Sequence, residues 1–174
     1  MTKLLRRKIL KFFVYALIVF GAYVIQTTPG LFDFLGIKPL LVLPACICIA
    51  VFEGEFAGGL FGFFFGLFCD SASETIFGFN AFVFLVFCVI AGLATIYIFR
   101  RSTMNIMLLC LGAVFFRSFL EYFFVFILYG YENLVPFFYT QIAPQIVFTS
   151  IFSLPFCLIF RKLHKKFEPE MTKE

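Results

Sequence analysis

Residues Gly54 to Asp70 read GEFAGGLFGFFFGLFCD, with glycine at 54, 58, 62 and 66 and aspartate at 70, each four residues after the last. Between the glycines the stretch is almost wholly apolar, so a helix over 54–70 is expected. Four residues turn an α-helix by roughly 400°, so the glycines form a bare strip that drifts ~40° per step around the axis. A helix following that strip must cross at an angle. Such small-xxx-small patterning lets two backbones approach closely inside a membrane, where van der Waals packing supplies the attraction between helices. The partner is either another helix of the same bundle or the anchor of another membrane protein, and the pattern does not choose between them.

The rest of the chain agrees with a lipid setting. Of its 174 residues 63% are hydrophobic and 14% charged, with 31 phenylalanines and no tryptophan, a balance that excludes a soluble domain with a polar shell. Apolar segments cover 12–25, 38–52, 56–69, 77–99, 104–129 and 137–160. They lack the period-2 alternation of barrel strands, and backbone polar groups in lipid must be satisfied internally, so an all-α integral membrane protein with a six-helix bundle is expected. The second and third segments reach only ~24 Å at about 1.5 Å per residue, and Glu53 and Glu55 interrupt them, so these two spans are short and suit a hairpin. One membrane domain fills residues 1–167, followed by a short tail at 168–174.

Basic residues set the orientation. Lys3, Arg6, Arg7, Lys8 and Lys11 precede the first span, Arg100 and Arg101 follow the fourth, and Arg161, Lys162, Lys165 and Lys166 follow the sixth. Six crossings, or four with a hairpin between the first two, put all three groups on one side, which is the cytoplasm by the positive-inside rule. The opposite side receives Lys38, Asp33, Asp70, Glu74 and Glu132. A multi-pass protein of the cell membrane with both termini cytoplasmic follows. GAYVIQTTPG offers no clear small-x-small cleavage site, so the first span is expected to be a retained anchor. The positive charge belongs to topology and not to nucleic-acid binding.

Polar residues inside such a chain draw the functional reading. Asp70 ends its helix at the pole where the macrodipole disfavours a negative charge, so it requires water, a donor or a cation. Asn80, after Gly78 at the opening of the fourth span, is a candidate donor. Arg117 and Glu121 lie four apart near the middle of the fifth span and can pair across ~6 Å of one face. An intramembrane pair of this kind is either a clamp between helices or a ligand site. Pro144 and Pro155 are expected to kink the last span, as Pro39 and Pro44 kink the second. The six cysteines all lie in or beside apolar runs without a CxxC pair, which reads as packing. His164, within RKLHKK, reads as a solvated or lipid-facing tail residue. The chain carries no GxxxxGK[ST], HExxH or GxSxG signature, and neither a cofactor nor a metal is expected.

In order and spacing these features resemble the rod-shape-determining MreD family. The resemblance rests on Gly66, Leu67 and Asp70 closing the third span, Gly78 and Asn80 opening the fourth, Leu120 and Glu121 in the fifth, and Pro155 before the basic end FRKLHKKF. It implies a non-catalytic membrane partner of MreC in the bacterial elongation machinery. That machinery builds sidewall peptidoglycan with MreB, RodA and its transpeptidase. It also implies a fold similar to the substrate-binding S subunits of energy-coupling-factor vitamin transporters. A vitamin-binding S subunit is the alternative function, although the outer loops lack the dense set of polar side chains that a vitamin pocket wants.

Overall fold

Val42–Glu53, the shortest of the described helices, organises the others around it. A computed structural model describes residues 3–28, 30, 39–73, 77–98, 102–129 and 143–171. Every regular element among them is a helix: α1 (Lys3–Thr27), α2 (Val42–Glu53), α3 (Glu55–Ala72), α4 (Phe79–Tyr97), α5 (Thr103–Tyr129) and α6 (Ala143–Met171). The described residues therefore form an all-α bundle of six helices. Leu5–Thr27, Phe79–Tyr97, Thr103–Phe124 and Pro144–Phe167 are long and apolar enough to cross a membrane.

The sequence of α2, VLPACICIAVFE, is apolar on every side until its final glutamate. A helix without a polar face has to be buried on all faces, and from Leu40 to Phe52 no hydrophobic residue is more than 5% exposed. Around it the other five close a ring: α1 touches α3, α3 touches α4, α4 touches α5, α5 touches α6 and α6 returns to α1, while α2 touches all five. Contact is most extensive between α3 and α4 and slimmest across the α4–α5 and α1–α6 seams.

Twelve residues make α2 about 18 Å long, well short of a hydrocarbon core of about 30 Å. The non-helical backbone leading into it must then find partners inside the protein. Those partners come from flanking helices. Gln26 Oε1 on α1 accepts the amides of Leu41 and Val42 at 2.9 and 3.1 Å, and Thr149 Oγ1 on α6 accepts the Leu40 amide at 3.0 Å.

Gly54 joins α2 to α3 with φ +99° and ψ 170°, a conformation open essentially to glycine alone. It is the one-residue turn of a tight α2–α3 hairpin and not the first rung of the helical strip. Proline placement also differs from expectation. Pro39 precedes α2, while Pro44 and Pro144 fall in the first turns of α2 and α6, where a missing amide costs no helical hydrogen bond. Of the two prolines expected to kink the last span, Pro155 alone lies in a helix interior, and α6 continues past it to Met171, four residues beyond the expected domain edge at 167. The expected positions Asp33, Lys38, Glu74, Arg100, Arg101, Glu132 and 137–142 lie outside the described residues.

Candidate functional site

The glycine strip is filled by the chain's own helices. A Cβ on Gly58 would lie 2.2 Å from the Ala50 Cβ of α2, and one on Gly62 would lie 2.8 Å from the Phe84 carbonyl oxygen of α4. On Gly66 it would lie 2.5 Å from the Ala81 Cα. The ~40° drift per step carries the strip from the α2 side of α3 to the α4 side. Two further glycines belong to the same packing although the four-residue spacing misses them. Gly59 faces Val89 and Gly92 of α4 faces the Glu55 backbone, at Cβ distances of 2.9 and 2.5 Å. Gly54 meets nothing within 4 Å.

Where this strip ends, Asp70 begins a chain of polar contacts. Its Oδ2 accepts the amides of Gly78 and Ala81 at 3.1 and 3.0 Å, and its Oδ1 accepts that of Asn80 at 2.9 Å. The carboxylate at the unfavourable end of α3 thus sits at the favourable N-terminus of α4, where first-turn amides lack helical partners and the macrodipole attracts an anion. Caps of this kind contribute about 0.5–2 kcal/mol. Asn80 does supply a donor, but from its backbone. The buried Asn80 side chain instead accepts from Arg117 Nε at 3.0 Å, and Arg117 Nη1 donates to Glu121 Oε2 at 2.7 Å. Asp70, Gly78, Asn80, Arg117 and Glu121 therefore form one network from α3 through α4 to α5.

A second network gathers around Glu53, which in the sequence marks only an interruption of the apolar run. Its Oε1 takes the Lys11 ammonium, the Tyr15 hydroxyl at 3.0 Å and His164 Nδ1 at 2.9 Å. Lys11 is only 3% exposed. His164 is buried as well, its ring centroid 5.3 Å from that of Phe52, which corrects its placement in a solvated or lipid-facing tail. The signal in the sequence was faint: Lys11 and Tyr15 share a helix face four residues apart, on the same side as the buried Val19 and Ala22.

The two networks fall where apolar packing is thinnest. The Asn80–Arg117 hydrogen bond crosses the α4–α5 seam, and the Glu53 node joins α1 to α6 through α2. Cysteines complete the interior: all six are buried and free. The Cys46 thiol of α2 contacts Cys88 of α4, and Cys48 of α2 contacts Cys110 of α5 and Cys157 of α6. Among the described residues no group of histidine, cysteine and carboxylate side chains is arranged to hold a metal ion. What the arrangement does chemically is fasten helices: each described buried charge binds a group on another helix of the same chain.

No curated protein and no solved structure matches the chain. Residues 6–167, nearly its whole length, match the family model described as rod shape-determining protein MreD, and the chain belongs to that family.

Proposed function

We propose that this chain is a non-catalytic scaffold of the bacterial elongation complex, holding the membrane anchor of MreC. With MreB, RodA and the RodA-associated transpeptidase it supports synthesis of sidewall peptidoglycan. Family membership itself gives a role in rod shape determination within a membrane. The observation that carries the finer reading is the family match across residues 6–167. The geometry is in keeping with it, since Lys11, Asp70, Arg117 and His164 are all engaged in holding helices together. The basic ends of α1 and α6 support a topology with both termini in the cytoplasm, by the positive-inside rule.

Because Gly58, Gly62 and Gly66 face α2 and α4, the anchor of MreC meets the outward surface of the bundle and not the glycine strip. Purification of the tagged chain in mild detergent tests this. MreC is expected in the complex, and a Gly62→Leu chain is expected to lose it only in proportion to lost folded protein. Wild-type complexes free of MreC would refute the scaffold. Folded Gly62→Leu protein that specifically fails to capture MreC would return the docking face to the strip.

A further inference from the structure

The Glu53 node has a consequence at the surface of the bundle. Lys11 lies within one turn of Arg7 and Lys8 on α1, and His164 is flanked by Arg161, Lys162, Lys165 and Lys166 on α6. By binding both Lys11 and His164, Glu53 brings two basic helix ends, far apart in sequence, to one place. Arg6 and Lys8 are exposed there, as are Lys162, Lys165 and Lys166. At 29 residues α6 is about 43 Å long, so its basic last turns extend beyond a hydrocarbon core of about 30 Å. Among the described residues the acidic ones at this end are Glu53, buried in the node, Glu55 at the start of α3, and Glu168 and Glu170 farther along α6. The cations outnumber them.

We propose that the basic ends of α1 and α6 form one composite surface that binds the headgroups of anionic glycerophospholipids. The neighbouring side chains select a lipid over a soluble acidic partner. Lys8 stands beside exposed Leu5 and Ile9, and Lys162 is within one turn of exposed Leu158 and Ile159. Cations bordering outward apolar side chains on both helices lie at the level where acyl chain meets phosphate, which is where basic residues attract anionic lipid. Two helices presenting such cations side by side offer phosphate a broader basic surface than either presents alone. The Glu53 node is the positioning element: it keeps the two ends together while its own charges stay inside.

Native mass spectrometry of the full chain in detergent, with phosphatidylglycerol and phosphatidylcholine added in equal amounts, tests the proposal. Wild-type protein is expected to retain phosphatidylglycerol preferentially. About fivefold in affinity per removed cation is expected near a membrane surface, so Lys162→Gln/Lys165→Gln/Lys166→Gln should weaken that preference on the order of 100-fold while leaving phosphatidylcholine unchanged. A salt titration of wild-type protein checks the same point without a variant, because screening should erase the preference at high ionic strength. Equal retention of the two lipids by wild-type protein would overturn the proposal. So would a preference untouched by both salt and the triple substitution, or these cations binding an acidic soluble protein while the two lipids are retained equally.

Discussion

A chain carrying Gly66→Leu is expected to lose the α3–α4 contact and with it most of its folded population. Even the first added carbon would stand 2.5 Å from the Ala81 Cα, 2.7 Å from the Ala81 nitrogen and 2.8 Å from the Asn80 carbonyl oxygen. All three are backbone atoms and cannot rotate aside. Relief therefore requires the two helices to part by about an ångström, and the atoms pushed away belong to the residues whose amides Asp70 holds. Overpacking in an ordinary core costs about 1–3 kcal/mol; here the lost cap adds to it, and a loss above ~3 kcal/mol is expected. Gly112 of α5 provides the control, since it has open space around it and takes an alanine without a clash. Thermal unfolding in detergent, followed by the surviving size-exclusion peak, checks both. A Gly66→Leu chain as stable as wild type would disprove the close α3–α4 approach.

Glu53→Leu is the second change with a large expected effect. It removes the acceptor shared by Lys11, Tyr15 and His164 and leaves the Lys11 ammonium buried without its carboxylate. Deleting one member of a buried ion pair costs about 3–5 kcal/mol, whereas replacing both members by apolar groups is far less harmful. The chain carrying Glu53→Leu together with Lys11→Met should thus be more stable than Glu53→Leu alone. This ordering is opposite to that for two independent sites. Additive losses in the same unfolding assay would show that Lys11 and Glu53 do not act as a pair.

Hydrophobic runs disclosed the helices because burial in lipid demands long apolar segments. Asp70 was legible because a charge at the wrong end of a helix requires a partner nearby in the chain, and its partners are 8 to 11 residues on. The Glu53 node was not legible. Tyr15 and His164 stand 38 and 111 residues from Glu53, and contacts at such separations leave no periodic trace. Thr149, which serves the entry to α2 from 109 residues away, was missed for the same reason. Gly54 was misread because spacing reports a helix face but not a backbone dihedral; its positive φ belongs to a turn. Gly59 and Gly92 escaped because α3 packs on two sides at once, which a single four-residue period does not describe.

These contacts together describe a bundle whose buried charges fasten its own helices and whose family determines rod shape. Depletion of the chain in a rod-forming host, with cell width and sidewall peptidoglycan incorporation followed by microscopy, tests that account most directly. Cells are expected to widen and become round as sidewall synthesis loses its organisation, and a wild-type copy should restore rods where a Gly66→Leu copy does not. Depleted cells that keep their width and their pattern of wall incorporation would contradict the account.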